Sequence, residues 1–122
     1  MHNYEPAKKF GSGYVLETKA IEYYVKLYLP QKIRRNNSKV SPYYKKDLSN
    51  LPPTLIQTAE YDPLADDGKR YAKKLRAAGN KVKYICYKGQ IHPFIVWSGG
   101  ALNKCKNPCN EISIFLKEQF KK

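Results

Sequence analysis

Acidic residues are scarce in this chain. Ten Asp and Glu stand against 23 Lys and Arg, leaving a net charge of +13 over 122 residues. Such an imbalance is common in nucleic-acid binders, because lysine and arginine neutralise phosphates and release counterions. The signatures that usually accompany it are missing: there is no RNP, zinc-finger or helix-turn-helix pattern. The cations come instead as scattered pairs, Lys8-Lys9, Arg34-Arg35, Lys45-Lys46, Lys73-Lys74 and Lys121-Lys122, so no nucleic-acid partner is expected. Long apolar runs are lacking too. None approaches the ~18 residues that cross a bilayer, which excludes a transmembrane segment of ordinary helical type. The residues after Met1, HNYEPAKKFGSG, have no apolar core and do not read as a signal peptide. Cysteine is rare: Cys86, Cys105 and Cys109 are odd in number and contain no C-x-x-C pair. That pattern favours reduced thiols in a cytoplasmic protein over a secreted disulfide scaffold. Cys105 and Cys109 supply at most two of the four ligands of a structural zinc site. No metal and no cofactor is expected, and Cys86, inside an apolar run, reads as core packing.

What is present is a globular composition, 42% hydrophobic, in a length that suits one small domain. From Thr18, Ile21, Tyr24, Val25, Tyr28 and Leu29 recur at helical spacing; Thr18 is placed to cap that helix and Pro30 to stop it. Tyr24, Tyr28, Tyr71 and Tyr84 sit at core spacings. The segment QKIRRNNSKVSPYYKKDLSNLPP has no period and reads as a loop holding at most one short turn. TLIQTA, Thr54 to Ala59, reads as a buried strand. Asp66 or Asp67 is expected to cap a following helix whose inner face is Tyr71, Ala72, Leu75 and Ala78, with Gly79 as a left-handed C-cap. VKYICY, Val82 to Tyr87, reads as a second strand, KGQIHPF as a loop, and a last helix is predicted from Asn110 with Ile112, Phe115, Leu116 and Phe120 on one face.

Strand, helix, strand is the middle of the chain. Two strands joined by a helix of this length pair in parallel through a right-handed crossover. Open parallel sheets gather functional groups at the carboxyl ends of their strands. Asp62 stands just past the first strand and His92 just past the second, so topology alone puts them on one edge of the sheet. An Asp after a strand is most often a turn residue, and a His in a loop is most often solvated or structural; the shared edge is what makes a hydrogen-bonded pair plausible.

The order and spacing of several motifs carry further information. Ser41-Pro42, Leu51-Pro52-Pro53, TAEYDPLADDG, YAKKLRAAG and Y-x-G-x-x-H fall in one register. Over roughly Tyr4 to Phe94, and more loosely through the terminal helix, the chain resembles the C-terminal part of the hormone-sensitive-lipase-like esterases, α/β-hydrolases that cleave carboxylic esters. The resemblance implies a partial α/β-hydrolase fold: two parallel strands with a crossover helix, plus N- and C-terminal helices. It implies one partial domain, in which residues 1–53 form a helix and loop near the substrate cap and residues 54–122 carry the acid and the histidine. By the same resemblance Asp62 is the acid and His92 the base of a catalytic triad.

The first triad role is unfilled. The nucleophile elbow is G-x-S-x-G. Ser12 has glycines at the wrong spacing, Ser98 has Val96 where the first glycine belongs, and Ser38, Ser41, Ser49 and Ser113 lack the context. The family's HGGG oxyanion segment is absent as well. The expectation is that both lie upstream in a longer enzyme acting on a small-molecule ester, and that this chain alone is inactive. A complementary N-terminal fragment or a second copy of the chain would be its partner, through an unpaired edge of TLIQTA. The rival expectation is a non-catalytic remnant that binds a partner chain through that edge. Within the retained part there is one departure: the family has glycine after the histidine, and this chain has Pro93.

Overall fold

Eight residues after Pro53, TLIQTAEY, alternate poorly as a helix face and well as a strand between two covered sides. In the computed structural model, which describes residues 8–96 and 107–121, they form β1, Thr54–Tyr61. The described elements run α1 (Thr18–Tyr28), a 3₁₀ turn at Pro42–Tyr44, β1, α2 (Ala65–Ala77), β2 (Val82–Ile91) and α3 (Pro108–Phe120). β1 and β2 pair in parallel as a two-stranded sheet. Both strands outrun the expected TLIQTA and VKYICY, and β2 absorbs Lys88 to Ile91 from the expected loop. Among the described residues no helix is long and apolar enough to cross a membrane.

The crossover helix α2 holds the unit together. Ala72 and Leu75 are each 1% exposed against the sheet, as the helical spacing implies, while Tyr71 and Ala78 are only half-buried. Gly68 marks the tightest approach: a Cβ there would lie 2.6 Å from the Thr58 methyl of β1. A side chain at this position would therefore push helix and strand apart. At the other end Gly79 has φ +85°. Its N–H donates to Arg76 O, and that of Asn80 to Leu75 O, which is the Schellman arrangement that ends helices at a glycine. The Asn80 side chain then ties down the preceding loop, accepting from Leu51 N and donating to Leu48 O and Leu75 O.

Helix starts differ from expectation. α2 begins at Ala65, and neither Asp66 nor Asp67 caps it; both lie in its first turn, with no side-chain cap on Leu64. Asp62 forms the turn that precedes the helix, so the helix starts earlier than the aspartates, which still favour its positive end. Thr18 is likewise the first residue of α1 rather than its cap. α3 starts two residues before Asn110, with Asn107 accepting from Cys109 N and Pro108 in the first turn, where a missing N–H costs nothing.

The flanking helices are poorly covered. Ile21 and Val25 are half-buried, but Tyr24 is 61% and Tyr28 75% exposed, so these two tyrosines are not core residues. The apolar face predicted for α3 is half covered: Ile112 and Phe115 are partly buried, whereas Leu116 and Phe120 are exposed. Gln57 of β1 anchors α3 by donating to Pro108 O and to the Tyr87 hydroxyl.

Candidate active site

The loop after β1 is shaped by one carboxylate. Asp62 Oδ1 accepts from Leu64 N at 2.8 Å, and its backbone O accepts from Ala65 N. This is the side-chain turn that Asp favours, and it brings the chain round into α2. The second oxygen is left over. Asp62 Oδ2 lies 2.9 Å from His92 Nδ1. The turn role and the histidine role therefore do not compete: one residue, 6% exposed, serves both with different oxygens.

A carboxylate only accepts, so the bond assigns the proton to His92 Nδ1. Nε2 is then the basic nitrogen on the far side of the ring, and it bonds no described residue. The imidazole keeps 37% of its side-chain surface exposed beside an Asp side chain that is 8% exposed. Such an arrangement holds a histidine in one tautomer and aims a proton acceptor outward. Behind it, Phe94 is buried against Tyr87 with ring centroids 4.8 Å apart, in a small cluster with Ala59 and Ile85. Pro93 follows His92 through a cis peptide bond, and the His92–Asp62 contact is present with it. On the other side of Asp62, Tyr61 stacks on Tyr14 and meets Phe10 edge-on.

The sheet register sets this encounter. Thr54 pairs with Val82 and the pairing advances in step to Ala59 with Tyr87; the next pair is Tyr61 with Ile91. Between those pairs β2 uses four steps where β1 uses two. Continued without this irregularity, the register would put Gln90 across from Asp62; with it, His92 follows Ile91 just as Asp62 follows Tyr61. Sequence reasoning placed both residues on one edge but missed this irregularity. Gly89, with φ +71°, was its signal, since a glycine inside a strand pattern marks a bulge.

Other candidates stand apart. Ser12 is exposed in a loop, and Ser98 and Cys105 lie outside the described residues. Cys86 is partly buried and Cys109 exposed. Among the described residues no three His, Cys, Asp or Glu converge on a metal position. An open hollow of about 350 Å³ lies between the 3₁₀ turn and the first half of α2, and neither Asp62 nor His92 lines it.

Comparison with known proteins places the fold. The sequence model of a family described as alpha/beta hydrolase fold matches residues 1–96. An arylesterase of Saccharolobus solfataricus is 33% identical over 114 residues, spanning 93% of this chain and 36% of that protein. An ethyl acetate hydrolase of Pseudomonas putida is 35% identical over 88 residues, spanning 72% of this chain and 28% of that protein. Among solved structures, an α/β-hydrolase enzyme from the metagenome of Lake Arreo superposes with a TM-score of 0.77 at 31% identity, over 84% of this chain and 32% of that one. The chain thus spans about a third of the length of these relatives. With a family match over most of its residues and the fold to go with it, this chain belongs to the α/β-hydrolase fold family.

Proposed function

We propose that the chain supplies the acid and base of a serine-dependent carboxylic ester hydrolase, Asp62 and His92, on one partial domain in which residues 54–122 carry both. The observation that carries the reading is the 2.9 Å bond between Asp62 Oδ2 and His92 Nδ1 at the carboxyl edge of a parallel sheet. In the reaction, Nε2 of His92 takes the proton of a serine hydroxyl as its oxygen attacks the ester carbonyl. His92 then returns that proton to the leaving alcohol, and water repeats the cycle on the acyl-enzyme. Asp62 keeps the imidazole in its Nδ1–H tautomer and stabilises the imidazolium while the proton is held.

No G-x-S-x-G occurs in the 122 residues. The serine and the oxyanion donors are proposed to come from a complementary N-terminal α/β-hydrolase segment, and the chain alone is proposed to be inactive. Each oxyanion donor is worth ~3 kcal/mol to the rate, so their loss weighs as heavily as that of the serine. The test is hydrolysis of a short-chain ester, with fluorophosphonate labelling, by the chain alone and after mixing with the N-terminal two-thirds of a related esterase. The expected result is nothing above background alone, and turnover in the mixture that His92→Ala and Asp62→Ala abolish. Labelling of the chain alone that Ser12→Ala or Ser98→Ala removes, or turnover in the mixture indifferent to His92, would overturn the reading.

A second reading has one observation in its favour: among the described residues β1 pairs on one side only. Its open edge suits strand addition by a partner chain without any catalysis. Stable capture of the N-terminal segment with no ester turnover would favour it.

A further inference from the structure

Glu60 is the one residue of β1, from Thr54 to Tyr61, that has no partner in the register. It sits opposite the excess of β2, and its side chain reaches across to fill that gap. Oε2 accepts from Gly89 N at 2.9 Å and Oε1 accepts from Lys88 Nζ at 2.9 Å. Gly89, at φ +71°, is in a conformation that other residues rarely adopt, and its N–H would lack a strand partner without the carboxylate. Lys88 is 80% exposed on its side chain, so the ion pair is weakly held and screened; the backbone bond is the one that defines geometry.

We propose that Glu60 is a positioning residue for His92: its carboxylate locks the irregular stretch of β2 that moves the strand end along by two residues and so sets His92, rather than Gln90, across from Asp62. The inference rests on the reading of His92 as the base, but it concerns a residue whose carboxylate bonds Gly89 N and Lys88 Nζ rather than the catalytic pair itself. Its action is a register constraint. Released from Glu60, the stretch from Lys88 to Gln90 can slide toward the regular pairing seen up to Ala59 and Tyr87, which would withdraw His92 from Oδ2. The same bonds from Gly89 and Lys88 hold the Glu60 carboxyl below the ordinary carboxylate range, so the clamp is charged at neutral pH.

The experiment is NMR on the ¹⁵N-labelled full chain, following the His92 imidazole and the Gly89 amide. In the wild type the imidazole should show the Nδ1–H tautomer with a low-field proton bonded to Asp62. Glu60→Ala should lose that proton and shift the ring toward the Nε2–H tautomer, with far-UV circular dichroism unchanged. Glu60→Gln keeps an oxygen for Gly89 N and should retain it, and Lys88→Ala should leave it in place. A purely stabilising role would lower the melting temperature of Glu60→Ala without altering the tautomer of the folded fraction. Should Glu60→Ala fail to fold, the wild type still decides the matter: the Gly89 amide proton must shift in step with the Glu60 carboxyl titration. In an active mixture with an N-terminal segment, Glu60→Ala should lower kcat by about 10- to 100-fold with little change in KM, as for other small misplacements of a catalytic group. An unchanged low-field proton in folded Glu60→Ala, or a Gly89 amide blind to Glu60, would overturn the proposal. Absence of the low-field proton in the wild type would instead overturn the Asp62–His92 pair itself.

Discussion

The unit from β1 to His92 and the helices on either side of it are built from the same kinds of residue but end in opposite states. In the central unit Ala59, Ala72, Leu75 and Tyr87 are buried, the helix end is closed by Gly79 and Asn80, and the polar groups of the site are matched oxygen by oxygen. In α1 and α3, Tyr23, Tyr24, Leu27, Tyr28, Leu116 and Phe120 face outward. The contrast teaches that a strand–helix–strand crossover satisfies itself, because each element covers one face of the next. The flanking helices carry apolar stripes whose cover is not among the described residues. Large exposed patches of that kind mark interaction surfaces. They fit the proposal that an N-terminal segment or a second copy completes the domain.

Substitutions can break this comparison or sharpen it. The largest effect is expected from Leu75→Ala in α2, where deleting a side chain 1% exposed should cost ~2–5 kcal/mol, read as a drop in the urea midpoint with the slope unchanged. A midpoint that hardly moved would mean that the central unit is no better packed than its flanks. Gly68→Ala comes next. The new Cβ would fall 2.6 Å from the Thr58 methyl, and forcing it in should cost ~1–3 kcal/mol, despite the higher helix propensity of alanine. Asn80→Ala removes the bonds to Leu51 N, Leu48 O and Leu75 O and should cost ~1–2 kcal/mol, with faster amide exchange at Leu51.

A subtler effect is expected with pH. Gly89 N and then Lys88 hold Glu60 below its ordinary value of 4.5, with Lys9 adding a smaller pull in the same direction. A depressed carboxyl stabilises the fold above its unfolded value and loses that contribution as pH falls through the lower folded one. The urea midpoints of wild type and Glu60→Gln should therefore differ most above pH 4.5 and converge as pH falls through the lower folded value. The smallest effect is expected at Phe120, 78% exposed at the end of α3. Phe120→Ser should change the stability of the isolated chain by under ~0.5 kcal/mol, while any concentration-dependent association measured by sedimentation should weaken.

Much of the architecture was legible because it is written in local chemistry. The apolar run after Pro52-Pro53, the helical spacing of Ala72 and Leu75, and Gly79 at a helix end each point to one conformation. Burial of α1 and α3 was not legible, because an apolar stripe states what a helix can cover and not whether anything covers it. Asp66 and Asp67 were not legible as first-turn residues for a related reason: each is a good N-cap by type, but the turn set by the Asp62 carboxylate starts the helix at Ala65, ahead of both.

The sequence by itself determined that Asp62 and His92 would end two parallel strands on one edge of a sheet, since strand periodicity and a crossover helix allow little else. Only the tertiary structure decided that they meet. The encounter depends on a register, and a register is a relation between strands 28 to 30 residues apart in the chain. It is fixed where Glu60 reaches across to Gly89, by a hydrogen bond that no local pattern encodes.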